Sequence, residues 1–229
     1  MNINSKTTTK VEEAADFIAT SILNQLKSGR QVLFFVTGGS SIAVGAKVSE
    51  FLRNNLEQDL TKNLTIMMTD ERYGPLDHLD SNWYQLMQKG FNLPGALLLP
   101  ILDGSDRAST TLKFNTNLQR ELIENKETRY KIGLFGIGAD GHTSGILPKS
   151  DAVKSEDFAY SYDTPTFSRI TITPKVIEQL DEVVVWVQGE EKWQVVKDLL
   201  TENVEIEKQP AQILKKVPLL TIFSDFKIN

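Results

Sequence analysis

The stretch Gly138-Ala139-Asp140-Gly141-His142-Thr143-Ser144 concentrates side chains that can do chemistry. His142 is one of only two histidines in the chain. A neutral imidazole suits a general base near pH 7, and Asp140 could hold its tautomer or help fix a substrate. A lone histidine is more often structural or simply exposed, so this reading needs partners elsewhere in the chain. The overlapping segment Gly136-Ile137-Gly138-Ala139-Asp140-Gly141 formally satisfies G-x-G-x-x-G, a dinucleotide signature. That match is weak. Its first glycine lies inside an apolar run, Asp140 would face a pyrophosphate, and Pro148 leaves little room for the helix that should follow.

Other segments carry candidate partners. In Thr37-Gly38-Gly39-Ser40-Ser41 two glycines allow close backbone approach, and the helix start behind them offers free N–H groups to a phosphate. The hydroxyls of Ser40 and Ser41 could add donors, although a tight turn with a serine cap explains the same residues. Thr69-Asp70-Glu71-Arg72-Tyr73-Gly74-Pro75 places three charges directly after an apolar run. Arg72 could stabilise an oxyanion or hold an anionic substrate, and Asp70 could orient a neighbour. A solvated charge cluster, with Ser81 capping the next helix, is the plain alternative. Arg169 opens a short apolar segment. Lys192 sits in the first turn of a helix, where it opposes the dipole, a conflict that a bound anion would resolve. His78, in the charged loop 75–80, has no such support. The two histidines lack metal-binding spacing, so no metal is expected. The absence of cysteine excludes disulfides, thiol catalysis and cysteine-ligated zinc.

These loops need rigid elements to position them, and the apolar pattern supplies an alternation. Val11, Ala15, Ile18, Ile22 and Leu26 recur at helical steps, with Thr9 as N-cap and Gly29 as stop. Strands are expected over 32–36, 64–69, 130–137, 169–173, 183–188 and 219–224. Helices are expected over 42–54, 82–89, 107–125 and 190–201. Runs apolar on both faces fit a parallel sheet covered by helices. The fold class is therefore α/β: Rossmann-like, with a mainly parallel sheet flanked by helices. Ligands in such sheets bind beyond the carboxyl ends of the strands, where every loop above falls. Segment 149–168 is the least regular part, a long loop or small excursion.

The 229 residues show no repeat and no Gly/Ser linker, so a single domain over 1–229 is expected. With 40% hydrophobic and 24% charged residues, the composition is that of a soluble globular protein. A net charge of −5 argues against a general nucleic-acid binder, whose affinity comes from neutralising phosphates. The longest apolar runs are strand-sized, far short of a membrane span, and the polar start of the chain lacks a signal-peptide core. A cytoplasmic location is expected.

Taken together, the segments resemble the 6-phosphogluconolactonase family, within the wider glucosamine-6-phosphate isomerase/6-phosphogluconolactonase group. The resemblance runs from Gly38-Gly39-Ser40 through Asp70-Glu71-Arg72…Pro75…Ser81-Asn82 and Gly136–Thr143. It continues through Leu147-Pro148, Arg169-Ile170-Thr171-Ile172-Thr173 and Gly189…Lys192 to Pro210-Ala211. It implies the fold shared with ribose-5-phosphate isomerase and CoA transferases. It also implies hydrolysis of 6-phospho-D-glucono-1,5-lactone to 6-phosphogluconate in the pentose phosphate pathway. Under it, Gly38, Gly39, Ser40, Ser41, Arg169 and Lys192 form the phosphate site. His142 is the base, Asp140 supports the site, and Arg72 sits near the lactone carbonyl. The expected partner is a small sugar phosphate, with no cofactor, and the protein is a monomer or small homo-oligomer.

The group's isomerases share the Gly-Asp-Gly-His stretch but follow it with a catalytic acid. Thr143–Pro148 contains no carboxylate, which favours the hydrolase. A non-catalytic sugar-phosphate sensor would not need Asp140 and His142. Some positions depart from the family's usual residues: Thr37 replaces Ser, Gly74 stands before Pro75 in place of a larger apolar residue, and Ser144-Gly145-Ile146 replaces Ala-Ser-Leu.

Overall fold

A computed structural model of the chain describes residues 2–124 and 129–227. Ten strands follow in chain order: β1 (Asn2–Thr7), β2 (Gln31–Val36), β3 (Leu64–Met68), β4 (Asp70–Arg72), β5 (Leu97–Leu99), β6 (Arg129–Phe135), β7 (Ala159–Asp163), β8 (Ser168–Ile172), β9 (Glu182–Val187) and β10 (Leu219–Ser224). The α-helices are α1 (Val11–Lys27), α2 (Ile42–Asn55), α3 (Gln58–Thr61), α4 (Asn82–Gln88), α5 (Arg107–Gln119), α6 (Pro174–Ile177) and α7 (Trp193–Thr201).

Seven strands form one fully parallel sheet in the order β1-β10-β9-β6-β2-β3-β5. The fold is α/β. Its central strands are buried on both faces, as their continuous apolar sequences require; β3 and β9 are buried along their whole lengths. Helix α1 presents Ala14, Ala15, Ile18, Ala19, Ile22 and Leu26 to the core, and packs on α2 and across β2, β6 and β9. Burying one such aliphatic side chain is worth about 1.5–3 kcal/mol.

Beside the large sheet lies a second, antiparallel one, β4-β8-β7. Its β4 is the charged run Asp70-Glu71-Arg72, which sequence pattern alone reads as a loop. The main sheet runs straight into it: only Thr69 separates β3 from β4, and the Thr69 carbonyl accepts the Ile172 N–H at 2.9 Å, tying β8 to the same point. Segment 149–168 contributes a 3-10 turn (Asp151–Lys154) and β7, so it is an excursion with structure of its own.

Boundaries shift in physically interpretable ways. The cap of α1 is at Lys10, not Thr9, and the hydroxyl that helps is Thr8, whose Oγ1 accepts the Lys10 N–H at 3.1 Å. Gly29 does end the helix, at φ +86°. The expected helix over 190–201 opens with a 3-10 turn, Glu190–Lys192, before α7. That over 107–125 changes to a π turn at Arg120–Glu124, and its last expected residue lies outside the described residues.

Candidate active site

Adjacent strands β9, β6, β2 and β3 deliver their carboxyl ends side by side. The four segments that follow them, together with β8, enclose a cavity of about 300 Å³. Gly38, Gly39, Ser40, Arg72, His142, Arg169 and Lys192 all line it, together with Thr37, Asp70, Asn82, Gly136, Ile137, Gly138 and Ser144. Seven of the nine residues singled out from sequence thus meet in one place. Ser41 and Asp140 do not line the cavity. Ser41 is fully buried under the loop, and its Oγ finds no partner among the described residues, so it is no direct donor to the cavity.

Asp140 stands behind the histidine. His142 Nδ1 is 2.6 Å from Asp140 Oδ1, and the His142 N–H donates to the same oxygen at 3.1 Å. Burial alone would push the Asp140 carboxyl up, but the His142 N–H and imidazole outweigh it and hold the carboxyl below its usual range. A carboxylate at Nδ1 fixes the proton there and turns Nε2 into the acceptor. The loop is shaped for this. A Cβ on Gly138 would lie 2.2 Å from the His142 ring, and the Gly138 N–H donates to the His142 carbonyl at 3.0 Å. No α-helix directly follows β6, since the chain passes through a 3-10 turn, β7 and β8 before α6, so the glycine pattern there is not a dinucleotide fingerprint.

The cations come from two directions. Arg72 and Arg169 are direct cross-strand partners in the β4–β8 pair. Their guanidinium carbons lie 5.2 and 5.8 Å from the Phe167 ring centre. Arg72 Nη1 donates to the Asp80 carbonyl at 2.9 Å. His78, for which the sequence offers no role, places Nε2 2.9 Å from the Arg72 carbonyl. Arg169 Nη1 is 3.5 Å from Asp70 Oδ2, with the aspartate buried and the arginine partly so. Asp70 in turn accepts from Thr69 Oγ1 at 3.0 Å and, more weakly, from Thr37 Oγ1 at 3.4 Å. Lys192 arrives at the start of α7 from the other side and pairs with no carboxylate among the described residues. Three cations thus face the cavity against one carboxylate, Asp70.

Two supporting residues escape sequence reasoning. Glu71 is fully buried and accepts four bonds: from Ser81 Oγ at 2.9 Å and from the N–H groups of Arg72, Asn82 and Trp83 at 2.8, 2.6 and 3.0 Å. Burial still raises its carboxyl above the usual value. It anchors the start of α4, which Ser81 caps by accepting the Tyr84 N–H at 3.1 Å. Asn82 then reaches back to donate to the Asp70 carbonyl at 3.0 Å and packs on Gly38 so closely that a Cβ there would sit 2.0 Å from its Oδ1. The run Asp70–Arg72 followed by Ser81-Asn82 contains this signal, but only the pairing of β4 with β8 makes it readable. No cluster able to hold a metal occurs among the described residues.

Fold and cavity define an α/β protein with a cationic, histidine-bearing site beyond the carboxyl ends of a parallel sheet. The family model "Glucosamine-6-phosphate isomerases/6-phosphogluconolactonase" matches residues 5–221, so the chain belongs to that family. A 6-phosphogluconolactonase from Borreliella burgdorferi is 26% identical over 198 residues, covering 81% of this chain and 83% of the relative. One from Neisseria meningitidis is 28% identical over 196 residues, covering 79% and 80%. The crystal structure of a 6-phosphogluconolactonase from Thermotoga maritima superposes with a TM-score of 0.78 at 16% identity, covering 97% of this chain and 99% of that one. That from Trypanosoma brucei gives 0.75 at 19%, covering 97% and 96%. These two likenesses establish the shared fold.

Proposed function

We propose that the chain hydrolyses 6-phospho-D-glucono-1,5-lactone to 6-phosphogluconate. The observation that carries this is the His142–Asp140 pair at 2.6 Å, placed at the edge of a cavity where three cations face one carboxylate. The family and its 6-phosphogluconolactonase relatives supply the substrate class.

His142 Nε2 accepts a proton from a water molecule as its oxygen attacks C1 of the lactone. Asp140, anionic and hydrogen-bonded at Nδ1, stabilises the imidazolium that forms. Negative charge gathers on the carbonyl oxygen of the tetrahedral intermediate, and Arg72, a cation on the cavity wall, stabilises it in this scheme. Collapse breaks the bond between C1 and the ring oxygen, which takes the proton back from His142. The products are a carboxylic acid, ionised at neutral pH, and a free hydroxyl. Arg169, Lys192 and the Gly38-Gly39-Ser40 loop hold the phosphate at the other end. An isomerase would need a free carboxylate to move protons between carbons. The lone carboxylate on the cavity wall, Asp70, is engaged by Arg169, which supports hydrolysis instead.

The test is turnover of freshly generated lactone, corrected for spontaneous hydrolysis, with His142→Ala beside the wild type. The variant should lose about 10²–10⁴-fold in kcat while still binding 6-phosphogluconate. A wild type no faster than background would refute the proposal.

A further inference from the structure

Lys192 is delivered to the cavity by a turn that does not hold itself. The chain passes from β9 into α7 through the 3-10 turn Glu190–Lys192, closed by the Lys192 N–H on the Gly189 carbonyl at 3.0 Å. Neither the turn nor α7 has a side-chain cap of its own. Gly189 stands at φ +108°, a conformation that glycine adopts freely and other residues disfavour. The restraint comes from Asp225, just beyond β10, the strand that pairs with β9. Its carboxylate accepts the Gly189 N–H at 3.3 Å on Oδ1 and 3.1 Å on Oδ2. Oδ1 also accepts the Trp193 indole N–H at 2.9 Å. One carboxylate thus grips both flanks of the turn, with Lys192 between them. Asp225 is tethered in its own right. The Thr8 N–H donates to the Ser224 carbonyl at 2.7 Å, and Thr7 Oγ1 donates to the Phe226 carbonyl at 3.0 Å. The rings of Phe226 and Trp193 lie 6.2 Å apart.

We infer that Asp225 is a positioning residue of the phosphate site: through Gly189 and Trp193 it holds Lys192 at the cavity and sets how tightly the substrate's phosphate is bound. The inference rests on the lactonase reading above, in which Lys192 grips that phosphate. Orientation of the turn matters because its charges are mixed. Of Glu190, Glu191 and Lys192 only the lysine lines the cavity, and both glutamates are exposed. A turn released from Asp225 samples arrangements in which the lysine leaves the cavity and a glutamate approaches it. Binding must then restore the order, at the expense of affinity. Hydrogen bonds to a carboxylate are roughly twice as strong as neutral ones, which suits Asp225 to this restraint. Lys192 holds the end of the substrate remote from the reacting carbonyl, so the effect falls on KM and not on kcat.

The experiment is a double-mutant cycle in lactone kinetics, with Asp225→Ala, Lys192→Ala and the pair. Asp225→Ala should raise KM about tenfold with kcat nearly unchanged, and Lys192→Ala should raise KM at least as much. The pair should have the KM of Lys192→Ala alone, because Asp225 acts only through the lysine. Asp225→Asn keeps Oδ1, the oxygen within reach of both donors, and should stay within about threefold of the wild type. If the alanine variant folds poorly, Trp193→Phe removes one donor, keeps an aromatic ring beside Phe226, and should raise KM about threefold. A fall in kcat at constant KM, or the same rise in KM with and without Lys192, overturns the inference in favour of a merely structural role. Unchanged KM in Lys192→Ala overturns it too, while active wild type leaves the lactonase reading standing. Should the wild type accelerate no lactone hydrolysis, the lactonase reading falls, and titration of the same variants with 6-phosphogluconate decides Asp225 by the same pattern in Kd. A wild type that does not bind that probe overturns the inference as well.

Discussion

Arg72 and Arg169 stand directly opposite each other across the β4–β8 pair, two like charges flanking the Phe167 ring. Like charges in that relation repel. Asp70 offsets one of them, at 3.5 Å from Arg169. The second positive charge has no carboxylate within ion-pair distance among the described residues, and it faces the cavity. An anionic ligand is the natural complement.

Binding should therefore stabilise the fold by mass action, by about 2.7 kcal/mol at a ligand concentration one hundred times Kd. Thermal unfolding with 6-phosphogluconate measures this as a rise in Tm. Arg169→Ala should lose most of that rise and show a higher KM. A rise equal to the wild type's would remove Arg169 from the phosphate grip.

Asp140→Asn keeps an acceptor near His142 Nδ1 but removes the charge that stabilises the imidazolium. Because the wild-type carboxyl is held below its usual range, it is anionic throughout neutral pH, and the variant differs there in full. The expected result is a fall of about 10²–10⁴-fold in kcat with KM near wild type. The side chain is half exposed, so Tm should hardly move. Wild-type kcat would show that the contact is only structural.

Gly38→Ala introduces a methyl 2.0 Å from Asn82 Oδ1. Asn82 must swing away, releasing its bond to the Asp70 carbonyl, at a cost of about 1–3 kcal/mol. Denaturant midpoints and kcat/KM should fall together. An undisturbed midpoint would mean that the loop yields without strain.

Glu71→Ala leaves four donors without their acceptor in a fully buried place. A loss of about 3 kcal/mol or more is expected in equilibrium unfolding. A loss under about 1 kcal/mol would indicate that solvent reaches the start of α4.

Asp103 supplies a pH signature. A hydrogen bond from Lys113 and another from the Ser105 N–H lower its carboxyl from 3.8 to about 2. A folded-state value below the unfolded one stabilises the fold above about pH 4, with the contribution lost as pH falls through about 2. Asp103→Asn should be slightly less stable than the wild type at pH 7, by an amount reduced by solvent screening, and the gap should close towards pH 2. A gap independent of pH would contradict the linkage.

Much of this was readable in the residues, and for specific reasons. Strands buried on both faces announce themselves, and the run from Leu219 to Ser224 is found where expected. The β1 segment Asn2–Thr7 was not readable, because an edge strand of polar residues lacks the apolar signal and is defined by its pairing with β10. For the same reason Asp70–Arg72 resembled a loop. Asp140 and His142 are neighbours in sequence, so their partnership was visible. The facing of Arg72 and Arg169 was not, because it depends on the register between distant strands. Ser41 looked like Ser40 in sequence, and only the turn of the chain at Gly39–Ser41 separates the buried hydroxyl from the one at the cavity.

The site is assembled from two sheets of unlike construction. The parallel sheet carries His142 with Asp140, the glycine loop and Lys192, whereas the three-stranded sheet carries both arginines. The histidine–aspartate pair and the two arginines thus sit on separate sheets joined at Thr69. Substitutions in the small sheet can retune which anion is held while the proton-handling pair stays untouched. That division separates the Arg169 contact with an anion from the His142–Asp140 pair.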